Sequence, residues 1–250
     1  MNAPSPSSAK RLPAGATAAA VYRLLWALRD ELLRLGAVPL AISYALSLPI
    51  RLWPGDPLAS LTVLAQVVPM ALFAVAWLRL VLLGPNAVDS GLTLQWGERE
   101  TRVLIRLVQL LLSVGLAAAI PLALVLPFGG SLMGFLLQAA IFIAAQYLFL
   151  RWALVLPAAA VDHPGSFGRS WTATVDCGPQ MVAVVLLVNL PILALDFLAW
   201  QVGLLDAFPY ATLLLEDASS YIGTAGSLTL LAFVFRSRSD WRGLPAQVGA

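Results

Sequence analysis

Residues 132–162 read LMGFLLQAAIFIAAQYLFLRWALVLPAAAVD. Thirty residues pass before the first acid, Asp162, and the only charge among them is Arg151. A helix needs about 20 mainly apolar residues to cross the ~30 Å hydrocarbon core of a bilayer. This run exceeds that and holds no regular polar face, so it predicts a helix surrounded largely by lipid. Five further stretches are similar: 35–50, 61–83, 103–127, 182–205 and 219–235. The whole chain is 60% hydrophobic and 11% charged, with a mean hydropathy of +0.86. Soluble domains run nearer 45–50% apolar and about 25% charged. The expected fold class is therefore all-α: a polytopic transmembrane helical bundle of about six spans.

Charge placement gives the expected orientation. With the N-terminus placed inside and the loops alternating, the inner segments hold 14 of the 15 basic residues, and Arg51 alone lies outside. That bias is the positive-inside signature and fits an even number of spans, with both termini inside. Asp56, Asp206, Glu216 and Asp217 fall in outer loops, the last two just before the sixth span, where they complement its dipole. The net charge of +2 and a pI near 9.0 are then explained by cytoplasmic loops facing anionic lipid, and nucleic acid is not an expected partner. Five tryptophans, at 26, 96, 152, 171 and 241, fall at the inner interface and Trp53 and Trp200 near the outer one. Trp77 at the inner end of the second span suits the same belt.

The expected domains are a disordered cytoplasmic tail (1–20), one transmembrane helical domain (21–235) and a second cytoplasmic tail (236–250). The first tail, MNAPSPSSAKRLPAGATAAA, is rich in Pro, Ser and Ala. It lacks the apolar core and cleavage site of a signal peptide, so no cleavage is expected. Residues 21–34 place apolar side chains at helical spacing between charges. They predict an N-terminal amphipathic helix lying in the interface and continuing into the first span with a bend near Pro39.

Few residues carry a chemical signal. Arg151 lies deep if its helix runs to Val161, where it would serve as a gate or an anionic-headgroup site. The simpler expectation is a helix break near Pro157, with 152–161 along the inner interface and Arg151 at headgroup level. Arg79, one turn from its helix end, can snorkel. Asp196 is the one acid within a predicted span, with Arg51 at a suitable depth to pair with it. The segment 162–174 predicts a turn at Pro164-Gly165 and then a short amphipathic helix containing Arg169 and Trp171. His163 and Ser166 there do not form a catalytic pattern: the G-x-S-x-G spacing is missing and the chain has no second histidine. The single cysteine, Cys177, can form neither an internal disulfide nor a zinc site. Ser219, Gly223 and Ser227 put small residues on one face of the sixth span, for packing within the bundle or against a second copy. No catalytic residue, metal ligand or cofactor is expected.

Two stretches repeat. Arg79 and Pro85 are six apart, as are Arg151 and Pro157; Val88-Asp89 and Val161-Asp162 follow them. Each would mark a helix descending to a cytoplasmic loop. The second copy, Arg151-Trp-Ala-Leu-Val-Leu-Pro-Ala-Ala-Ala-Val-Asp162 with Phe167-Gly-Arg-Ser-Trp-Thr172, resembles a pattern of bacterial six-helix membrane proteins of unknown function. These are similar to the YciC-like family and to the membrane domain attached to some glycerophosphodiester phosphodiesterases. Thr172-Ala173 stands where that pattern prefers Leu-Thr. The resemblance implies a multi-pass protein of the bacterial inner membrane and no activity, since the phosphodiesterase domain is missing.

The resulting expectation is a non-enzymatic inner-membrane protein acting as a structural, assembly or complex-associated subunit. Its partners would be membrane lipids, other membrane-protein subunits or a second copy of itself. The alternative is a small transporter or lipid-handling protein, drawing on Gln66, Gln109, Gln138, Gln146, Asn189 and Arg151. Arg79, Arg151, Asp162, Arg169, Trp171 and Asp196 are the candidate functional or packing residues.

Overall fold

The computed structural model describes residues 13–53, 55–87, 96–128, 131–202 and 207–239. All regular structure among them is helical. The expected tail and first span become two helices. The alanine-rich start, with its high helix propensity, forms α1 (Ala14–Ala27), so helix begins before the expected Val21. It buries Ala18, Val21 and Leu25 against the fifth and last long helices, and the Tyr22 hydroxyl donates to the Leu187 or Val188 carbonyl at 3.0 and 2.9 Å. The interruption falls at Leu28 (φ −103°, ψ 18°), not near Pro39, and α2 (Arg29–Leu52) contains both Pro39 and Pro49.

The stretch expected as a single second span is split. α3 (Pro57–Ala65) and α4 (Val67–Leu83) meet at Gln66, whose amide nitrogen donates to Ser47 Oγ at 2.8 Å. Alone, α4 is 17 residues long, about 26 Å at the helical rise. α5 (Glu98–Val125) opens with the Gly97 N–H donating to the Glu100 carboxylate at 3.0 Å and ends in a 3₁₀ turn, Leu126–Phe128. α6 (Leu132–Trp152) is capped by Ser131, which accepts from the Gly134 N–H at 3.0 Å. After it come α7 (Val155–Ala160), α8 (Phe167–Ala173), α9 (Gly178–Gln201) and α10 (Pro209–Arg238).

Five of these units are long and apolar enough to cross a membrane: Arg29–Leu52, Glu98–Phe128, Leu132–Ala160, Gly178–Ala199 and Pro209–Arg238; α4 is a shorter apolar helix. α10 is the hub, in contact with α1, α2, α4, α7 and α9. Its small residues allow this. A Cβ on Gly223 would lie 2.3 Å from Asn189 Oδ1, and one on Gly226 would lie 2.4 Å from Val188 Cγ1, so α9 and α10 approach through glycine. The stripe at Gly223 thus faces α9 within the bundle. From α4, Trp77 is fully buried and its indole N–H points between the Ala225 carbonyl and Thr229 Oγ1, both at 3.0 Å. Trp77 is therefore a core residue and not part of an interfacial belt. Phe73 meets the Tyr221 ring edge-on at 5.1 Å, and Tyr221 shares a 2.8 Å hydrogen bond with Ser43 of α2. α10 begins at Pro209, so Glu216 and Asp217 lie within the helix and not in a preceding loop. α5 and α6 pack against each other at the side of the bundle and leave broad apolar faces uncovered, including Leu116, Ile120, Phe135 and Phe142.

Candidate functional site

The polar residues singled out by the sequence concentrate where α6 gives way to α7. The chain turns at Ala153 and Leu154, short of the expected break at Pro157. Breaking a helix within an apolar bundle orphans backbone groups, and side chains must satisfy them. Ser170 of α8 does so from both sides: its hydroxyl donates to the Arg151 carbonyl at 2.7 Å and accepts from the Leu154 N–H at 3.2 Å. Pro157 lies in the first turn of α7, where a missing N–H costs no helical bond. The freed segment Val155–Ala160 is buried between α4, α5 and α10.

Arg151 is buried as well, with 3% of its surface exposed, so its side chain is enclosed by protein. Its Nε donates to Thr174 Oγ1 at 2.9 Å, Nη1 to the Tyr147 hydroxyl at 2.7 Å and Nη2 to the Trp171 carbonyl at 2.7 Å. The guanidinium carbon sits 3.8 Å from the centre of the Trp171 ring. No carboxylate forms a salt bridge with Arg151 among the described residues. Its charge is held by oriented dipoles and a π face, the arrangement that makes a desolvated guanidinium tolerable. Gly178 is part of this arrangement, because a Cβ there would come within 2.7 Å of the Tyr147 ring and 3.0 Å of Arg151 Cδ. Trp171 also packs on Trp152, with ring centres 6.1 Å apart.

Asp162 closes the loop after α7 in a left-handed conformation (φ 55°). Arg99 grips one carboxylate oxygen through Nε and Nη2 at 3.0 and 2.7 Å, and Arg102 reaches the other at 2.7 Å. The hydrogen bond from Arg99, helped by the charge of Arg99 and by the hydrogen bond and charge of Arg102, outweighs desolvation and holds the Asp162 carboxyl below its ordinary range. This partly exposed bridge ties the first turn of α5 to the end of α7. Arg79 reinforces it: its guanidinium donates to the Ala87 carbonyl at 3.0 Å and to the Ala160 carbonyl at 3.4 Å.

The two copies of the repeat place their arginines differently. Arg79 lies a turn inside α4 and reaches carbonyls, whereas Arg151 lies at the end of α6 inside a polar cage. Val88-Asp89 of the first copy lies outside the described residues. Asp196 is separate from the cluster. Arg51 pairs with Glu216 at 3.5 Å, and no hydrogen bond or salt bridge joins Arg51 to Asp196 among the described residues. The sequence reading missed Arg99 and Arg102 as partners of Asp162, although their i, i+3 spacing puts them on one face of α5. It also missed a polar chain at the opposite end, where Gln66 donates to Ser47 and Ser47 donates to Asp217 at 3.2 Å.

Beside the α6–α7 break lies a cavity of about 410 Å³. Leu154, Val155, Ala158 and Phe235 form its apolar wall, and Arg169 and Arg238 are its charged groups. His163 and Ser166 also line it. Ser166 caps α8, accepting from the Arg169 N–H at 3.3 Å, and the His163 ring packs edge-on against Phe235 at 5.8 Å. Gln138, Gln146 and Arg151 are not among its lining. Compared with known protein families, with curated proteins and with solved structures, the chain matches none.

Proposed function

We propose that this chain is a non-enzymatic multi-pass protein of the bacterial inner membrane that works as a structural, assembly or complex-associated subunit. It crosses the bilayer six times, the broken α3–α4 unit supplying the crossing that completes an even count, and both termini face the cytoplasm. Residues 21–34, from α1 across Leu28 into the start of α2, are the amphipathic element on the N-terminal side. The carrying observation is that three buried polar side chains, Arg151, Ser170 and Trp77, are engaged in holding the bundle together. Arg151 is caged by Thr174, Tyr147 and Trp171, Ser170 closes the helix break, and Trp77 binds α10. The broad bare faces of α5 and α6 are then available to lipid and to neighbouring subunits. The inner membrane of a bacterium enters through the resemblance of the Arg151–Thr172 stretch.

Affinity purification of the tagged full-length protein in mild detergent tests this directly. A chain co-purifying at fixed stoichiometry is expected; a protein recovered alone and monomeric would contradict it. The transporter alternative gains no support from this cavity, whose lining includes none of Gln138, Gln146 and Arg151. The lipid-handling form keeps one specific observation, the basic cavity beside α7 and α8.

A further inference from the structure

We infer that the cavity between α7, α8 and the C-terminal end of α10 is a binding site for a phosphate-bearing anion. Its charged lining is Arg169 and Arg238, and neither pairs with a carboxylate among the described residues. Arg169 makes one weak side-chain contact, to the Pro164 carbonyl at 3.4 Å. Arg99 and Arg102, by contrast, are paired with Asp162. Two guanidiniums line one cavity with no acid among its described lining, which gives that lining a positive charge, and Leu154, Val155, Ala158 and Phe235 form an apolar wall beside them. A guanidinium offers paired donors matched to phosphate oxygens. The volume of about 410 Å³ falls in the range of small-molecule sites and exceeds the needs of one bound water. An apolar wall beneath a basic rim suits the phosphate and glycerol of a phospholipid, and free phosphate offers the same oxygens.

This inference rests on the membrane placement proposed above, but its test does not depend on finding a protein partner. The full-length protein is purified in detergent and also reconstituted in nanodiscs containing phosphatidylglycerol or phosphatidylcholine. Retained lipid is read by native mass spectrometry, and inorganic phosphate is titrated by calorimetry. R169Q/R238Q should lose about tenfold or more in binding, while R169K/R238K should keep most of it. R23Q/R29Q removes the same charge elsewhere and should change nothing. Phosphatidylglycerol retained in an arginine-dependent manner identifies the lipid source. Arginine-dependent phosphate binding without retained lipid identifies the free anion; both uphold the site. Equal binding by the wild type and R169Q/R238Q, or no binding of either probe, overturns it. If the double variant does not elute as a folded protein, R238Q alone, at the partly exposed end of α10, carries the same comparison.

Discussion

α10 and α6 are both long enough to cross a bilayer, yet they sit in opposite surroundings. In α10, 67% of the most apolar window is buried against other helices; in α6 the figure is 6%. Hydropathy ranks them the other way, at 1.4 for α10 and 1.8 for α6. Within lipid there is no gain from hiding apolar side chains in protein, so helices associate where small residues permit close approach and where hydrogen bonds can form. α10 has Gly223, Gly226 and Thr229 for this and occupies the centre. α6 presents Leu132, Phe135, Leu136 and Phe142 and stays at the edge. A weak apolar signal in a membrane chain can thus mark the interior helix.

The largest expected effect comes from filling the glycine contacts of α10. Gly226→Leu and Gly223→Leu, which would force α9 away, should each destabilise by about 3 kcal/mol or more. Gly115→Leu on α5 meets nothing within 4 Å and should leave thermal unfolding in detergent near the wild-type value. Equal losses at the three positions would break the contrast between hub and edge. Next is Arg151→Leu, which strands the Trp171 carbonyl and the Tyr147 hydroxyl at the buried polar cage on α6. A loss of about 3 kcal/mol is expected, and Arg151→Lys should recover little because an ammonium lacks the planar fork. Trp77→Phe removes the indole donor to α10 and should cost about 1–2 kcal/mol in the same assay.

Smaller effects belong to exposed groups. Leu136→Ala on the bare face of α6 should shift stability by less than about 0.5 kcal/mol. Asp162→Asn probes the loop bridge. Because the folded carboxyl is held below its unfolded value near 3.8, its contribution is complete above that value and fades as pH falls through the lower folded one. Wild-type and variant melting curves should therefore converge only below about pH 4. The side chain is 46% exposed, so solvent screening limits the difference at neutral pH to a few tenths of a kcal/mol, to order of magnitude.

The membrane class was legible because thirty residues without an acid have no soluble alternative. Helix breaks were less so. Pro39 and Pro49 lie within a continuous helix, and the interruption at Leu28 has no proline nearby, while the breaks at Gln66 and Ala153 fall three and four residues before Pro69 and Pro157; the last is held by Ser170, nineteen residues beyond Arg151. The site was legible in part. Arg151, Trp171, Asp162 and Arg79 do gather around α7, but hydropathy treats an arginine as a charge seeking water and cannot register that Thr174, Tyr147 and Trp171 converge on it. Arg51 finds Glu216 because α10 begins ten residues before the apolar stretch does, at Pro209 and not Ser219.

The most direct test of the hub-and-edge arrangement uses the unmodified protein in lipid vesicles, labelled by a bilayer-dissolved diazirine and mapped by peptide mass spectrometry. Adducts should concentrate on 132–143 of α6 and remain near background on 225–235 of α10. Comparable labelling of the two segments would contradict the arrangement.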